Sequence, residues 1–228
     1  MRSFLLWRKD LVCQLYRIGV ETLWIVIILN FALSFALIYQ VNTTLGIEKY
    51  GLLHLLGALS IGVTREMVPL IVGLIVAARL GSAFAAEIAS MKISEQIDAL
   101  KSMAVDPLEY LVLPRFFAAA LMMISLTVFG WLSSFAGGFL IAKIINVDIF
   151  RFMDSAKTFF QYSFMVVGLL KAVVFGAVIA LISCFSGFML NERDLNNLGV
   201  GRATMRAVVL SFLAIFLINL FFAWVVKY

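Results

Sequence analysis

Five apolar runs divide the chain, at residues 23–39, 52–78, 116–141, 165–190 and 207–226. Each is long enough to cross a hydrocarbon core as a helix, which takes roughly 20 residues, so the pattern predicts five transmembrane spans. Ahead of the first run, Phe4, Trp7, Leu11, Leu15 and Ile18 recur every three or four positions, with Arg8, Lys9, Gln14 and Arg17 on the other side. That spacing predicts an amphipathic helix over residues 1–21, lying in the membrane interface with its basic edge among phosphates. The stretch "FLLW" is much shorter than a signal-peptide core of roughly 7 to 15 residues, so the first span is expected to be retained.

The longest polar interruption is "SEQIDALKSMAVDPLEYLVLPR", residues 94–115. Ile93, Ile97, Leu100 and Ala104 follow a helical stripe. Ser94 is placed to cap the start, Glu95 and Asp98 to favour the positive N-terminal end, and Lys101 the far end. "DPLE" then predicts a second short helix, with Asp106 as cap, Pro107 in the first turn and Glu109 reaching back, and Pro114 preceding the third span. A helix of this kind lies along the membrane surface either as a docking element or as a solvated connection.

Composition agrees with the spans: of 228 residues 64% are hydrophobic and 14% charged, with a mean hydropathy of +1.07, well outside soluble usage. The net charge of +5 suits anionic headgroups, because the basic residues flank apolar runs. With the N-terminus inside, Arg2, Arg8, Lys9, Arg17, Arg79, Lys92, Lys101, Arg115, Arg193, Arg202 and Arg206 are cytoplasmic, against Lys49, Lys143, Arg151, Lys157 and Lys227 outside. The positive-inside rule therefore predicts a cytoplasmic N-terminus and an external C-terminus. Cys13, Cys184 and the single histidine, His54, lack metal-ligand spacing and are expected to be packing residues, with no metal or cofactor.

Three ionisable residues fall inside spans: Arg65 and Glu66 in the second and Lys171 in the fourth. A cation at mid-membrane costs about 2.5 to 3.5 kcal/mol on insertion scales, so these groups need partners or a wet cavity. Two readings stand: a structural pair on Glu66, or a surplus of positive charge that meets a lipid phosphate. Gly73, Ala77, Gly81 and Ala85 recur every four residues, a spacing that lets helix backbones approach, within one chain or across a dimer.

The run "REMVPLIVGLIVAARLGSAFAAEIASMKISEQIDALKSMAVDPLEYLVLPR" and the later "LGVGRATMRAVV" resemble the permeases of the MlaE family, membrane subunits of bacterial Mce-type ABC lipid transport systems. The resemblance extends over about residues 18–226. Val68 stands where the family usually has glycine after R-E-M, and "LNNL" at 195–198 replaces the usual G-G-A-E, with Asn196 and Asn197 suited to a turn. The resemblance implies an all-α membrane protein with an interfacial helix, a permease domain over residues 22–228 and a coupling region over residues 87–113. It also implies a homodimer in the bacterial inner membrane, two cytoplasmic ATPase subunits, a periplasmic Mce-domain partner and a phospholipid or related cargo.

On the same resemblance, Glu87, Lys92, Glu95, Gln96, Asp98 and Lys101 are candidates for coupling to the ATPase, and Gly199, Gly201, Arg202 and Thr204 form the second family motif. The chain itself carries no G-x-x-x-x-G-K-[ST], so hydrolysis must be supplied by a partner and reach the spans through a surface. Neither G-x-S-x-G nor H-E-x-x-H occurs, which argues against an intramembrane enzyme. A scaffold without a transport role is the other class of function that this composition allows.

Overall fold

The computed structural model describes residues 2–45, 61–145, 157, 162–190 and 197–225, with the side chains of residues 2–13, 17, 45 and 197 left out. Six elements follow in order: α1 (Arg2–Leu45), α2 (Val63–Ile93), α3 (Gln96–Ser102), α4 (Leu108–Ile144), α5 (Tyr162–Phe188) and α6 (Asn197–Val225). There is no strand among the described residues. Five of the helices are long and apolar enough to cross a membrane, as expected, and α3 is the short one. His54 and Asn196 lie outside the described residues, as do the side chains of Cys13 and of the amphipathic positions Phe4, Trp7 and Leu11.

Element ends differ from expectation in instructive ways. The first helix is continuous through Glu21 and Thr22, where an interfacial helix was expected to give way to a span. The second continues from Ala78 to Ile93, because Arg79 does not stop it: its guanidinium reaches Glu21 at 2.6 Å and the Thr22 hydroxyl at 3.0 Å. The third span begins at Leu108, so the second short helix expected at "DPLE" is its first turn. Asp106 does cap it, accepting from the Leu108 N–H at 2.9 Å.

Pro114 and Pro69 sit within helices, each two residues beyond a π-helical turn, Leu108–Val112 and Val63–Met67. Proline lacks an N–H and its ring crowds the carbonyl four residues back. A widened turn at that place moves the carbonyl out of the way, so the helix passes through.

The connection between α2 and α4 departs from the expected single stripe. Ser94 does not cap α3; its hydroxyl bonds back to the Ser90 carbonyl at 2.9 Å, closing α2. Glu95 takes the position before α3 with a left-handed backbone (φ 57°), and Ala104 beyond its end does the same (φ 57°). For residues with a Cβ this costs about 1–2 kcal/mol each. Ile93 therefore belongs to α2 and Ala104 is exposed, leaving Ile97, 5% exposed, and Leu100 as the apolar side of α3.

The chain forms two compact units, one of Met1–Thr22, Gly73–Met123 and Val173–Tyr228, the other of Leu23–Val72 and Ile124–Ala172. In the first, Ile88, Ile97, Leu111 and Cys184 make an apolar cluster. Small residues bring its helices together: a methyl on Gly81 would meet Ser183 at 3.1 Å, and one on Gly187 would meet the Ala85 carbonyl oxygen at 2.9 Å. The Gly73-to-Ala85 stripe thus packs within the chain, where close backbone approach gains dispersion contacts that lipid does not supply. In the second unit a methyl on Gly137 would run into the Phe31 carbonyl oxygen, and Ser134 donates to the Asn30 carbonyl at 3.3 Å. Along α6, Leu213, Phe216, Leu217 and Leu220 are exposed, the surface a helix presents to acyl chains.

Candidate functional site

The intramembrane charges meet in the second unit, and the geometry begins with Pro69. In the π turn before it the Val68 N–H bonds to the Val63 carbonyl, five residues back. The next donor in that pattern would serve Thr64, but Pro69 has none. The indole N–H of Trp131 takes its place, donating to the Thr64 carbonyl at 3.0 Å. An orphaned buried carbonyl would otherwise carry a desolvation penalty of about 1–3 kcal/mol.

Gly168 lets α5 come close at the same level, since a methyl there would lie 2.9 Å from the Trp131 ring and 3.1 Å from the Thr64 oxygen. One turn further along α5, Lys171 is wholly buried and its ammonium donates to Glu66 Oε2 at 2.5 Å. Adjacent residues of a regular α-helix do not face each other, yet in the widened turn Arg65 Nε stands 3.3 Å from Glu66 Oε1. Both structural pairs considered from sequence are therefore formed on one carboxylate. Arg65 is 8% exposed and Glu66 31%, so the carboxylate is the accessible member of a group with one net positive charge.

The six coupling candidates divide in two. Glu95, Gln96, Asp98 and Lys101 are exposed around α3, with Asp98 and Lys101 in a surface pair at 2.8 Å. Glu87 and Lys92 are tied inward instead. Glu87 Oε2 accepts from Arg115 at 3.0 Å. Lys92 Nζ donates to the Phe188 and Leu190 carbonyls, both at 2.7 Å, satisfying the end of α5 where acceptors lack intrahelical donors.

The second motif opens α6 as helix. Gly199 is buried, Gly201 and Arg202 are exposed, and Thr204 donates to the Gly201 carbonyl at 2.8 Å. Between them Ala203 packs with Ala89 and Leu190.

Sequence reasoning missed Arg79 and Arg115 as structural centres and read both only as inside-positive charges. The available signal was the acid at matching depth: Glu21 near the start of the first span, and Glu87 across the polar segment from Arg115.

Comparisons with known proteins agree with this architecture. A family profile described as permease MlaE matches residues 11–225. The chain is 36% identical over 229 residues to a probable ABC transporter permease protein of Synechocystis, covering 95% of this chain and 81% of that one. It is likewise 36% identical over 208 residues to a probable ABC transporter permease protein of Rickettsia typhi, covering 90% and 78%. A chloroplastic protein of Arabidopsis thaliana, trigalactosyldiacylglycerol 1, is 34% identical over 215 residues, which are 92% of this chain and 59% of that protein. With five apolar helices, both motif blocks in order and a match over nearly its whole length, the chain belongs to the MlaE permease family.

Proposed function

We propose that this ABC transporter permease moves a phospholipid or related lipid between the bacterial inner membrane and a periplasmic Mce-domain partner. It works as a homodimer driven by two cytoplasmic ATPase subunits. The observation that carries the lipid reading is the group of Arg65, Glu66 and Lys171, two cations sharing one partly exposed carboxylate. An entering phosphate competes with Glu66 for the two donors, through charge-assisted hydrogen bonds strengthened by low dielectric. A relative named for a galactolipid, at 34% identity, supports a lipid cargo.

On the topology with the N-terminus inside, the charged group lies in the outer half of the bilayer. The exposed residues of α3 then face the ATPase.

Two experiments test these parts separately. Mass spectrometry of lipids retained by the purified complex should find phospholipid, reduced about tenfold in the double variant Arg65→Ala, Lys171→Ala, as expected for the loss of hydrogen bonds from charged donors. Full retention by that variant assigns the charges to helix packing alone. Reversing Glu95 and Asp98 to lysine should weaken ATPase co-purification about fivefold, the scale of two exposed charge contacts, with insertion intact. Normal co-purification and turnover in that variant removes α3 as the docking surface, and an assembled complex with no lipid-responsive turnover favours a scaffold.

A further inference from the structure

The pair formed by Glu87 and Arg115 brackets the segment that joins α2 to α4. Glu87 stands on α2 before that segment and Arg115 on α4 after it, and their 3.0 Å bond closes its base. The arginine is held by the Glu87 carboxylate and by an aromatic ring. Its side chain is 8% exposed, and the guanidinium lies 5.5 Å from the centre of the Phe84 ring, itself fully buried. A cation over an aromatic face gains further attraction when desolvated. Nη1 is buried without a hydrogen-bond partner among the described residues, so the carboxylate is the main compensation for placing this charge inside.

Within the bracketed segment, α3 inserts Ile97 into the cluster made by Ile88 of α2, Leu111 of α4 and Cys184 of α5. Lys92 fastens α2 to the carbonyl of Phe188, the last residue of α5, and to that of Leu190 just beyond it. A push on α3 therefore acts through Ile97 on three helices at once, and the spacing of the two arms decides whether they move together or splay. Apolar contacts are non-directional; a part-buried ion pair adds a contact of fixed geometry that resists separation and rotation.

We propose that Glu87 and Arg115 are a positioning pair that holds the two arms at fixed spacing, so that displacement of α3 passes to α2 and α4 as one body. The coupling part of this inference rests on the ABC permease reading above. The pair acts through the helices and touches no cargo. Its effect belongs to transmission and leaves docking of the ATPase unchanged.

The test uses nitroxide labels on genetically encoded residues at Ser90 and Leu113, both exposed, in the whole permease reconstituted in phospholipid nanodiscs. The wild-type distance distribution should be narrow, and Glu87→Gln, which keeps shape and removes charge, should broaden it. With the ATPase subunit added, the same variant should keep basal turnover and assembly while lipid-stimulated turnover falls about fivefold, the scale of a coupling change near 1 kcal/mol. An unbroadened distribution in Glu87→Gln, or broadening with undiminished stimulation, overturns the proposal. Should no ATPase subunit bind even the wild type, the transporter reading fails, while the distance measurement still decides the bracket.

Discussion

Glu66→Ala should lower the unfolding free energy of the permease by about 3 kcal/mol, at the lower end for removing one partner of a buried ion pair because Glu66 is partly exposed. The loss is large because one carboxylate serves two cations. Without it Arg65 and the fully buried Lys171 face each other as like charges in a medium that screens them poorly. Lys171→Met should cost far less, since Glu66 and Arg65 remain as a neutral pair and a methionine fills the space. The double variant Glu66→Ala, Lys171→Met should recover more than half of the loss from Glu66→Ala. Unfolding in mixed detergent micelles, run as a double-mutant cycle, measures this coupling. A double variant no more stable than Glu66→Ala would show that the shared carboxylate is not what holds Lys171.

The second large effect is steric. Gly137→Ala should destabilise by about 3 kcal/mol, the upper range for an overpacked site, because the new methyl would overlap the Phe31 carbonyl oxygen. That neighbour is backbone of another helix and cannot change rotamer, so α1 and α4 must separate over several turns and lose the dispersion contacts that hold helices together in lipid. Gly201→Ala is the natural control. Nothing lies within 4 Å of a methyl at that position, and alanine favours a helix interior over glycine by about 1 kcal/mol, so this change should be neutral or slightly stabilising. Equal losses at the two positions would mean that helix spacing, rather than local contact, sets the tolerance.

How much of this was legible in the chain differs between levels. The five helices follow from apolar runs alone, since length and hydropathy are local properties and lipid enforces internal hydrogen bonding. Their ends were less legible. Arg79 reads as a boundary charge until Glu21, fifty-eight positions away, is brought beside it, and proline reads as a stop until a π turn ahead of it makes room. The Arg65, Glu66 and Lys171 group was identifiable because ionisable residues are costly inside spans, and local sequence named its members. It did not reveal that one carboxylate serves both cations, which depends on Gly168 and Trp131 bringing α5 against α2. The surface helix was legible in its polar face, yet its true limits rest on two left-handed residues with side chains, Glu95 and Ala104, where neither glycine nor asparagine marks the turn. That Glu87 and Lys92 turn inward was not legible, because the donor to Glu87 and the acceptors for Lys92 come from distant parts of the chain.

The hydrogen bond from Trp131 to the Thr64 carbonyl also gives the permease an optical handle. This indole is 1% exposed, whereas Trp24 and Trp224 are 68% and 71% exposed. With Trp7, Trp24 and Trp224 replaced by phenylalanine, emission arises from a single ring whose N–H is bonded one residue from Arg65. Any rearrangement of the widened turn lengthens or breaks that bond and shifts the emission wavelength. The backbone defect that proline imposes on α2 is thereby readable in real time, without attaching a dye near the charged group.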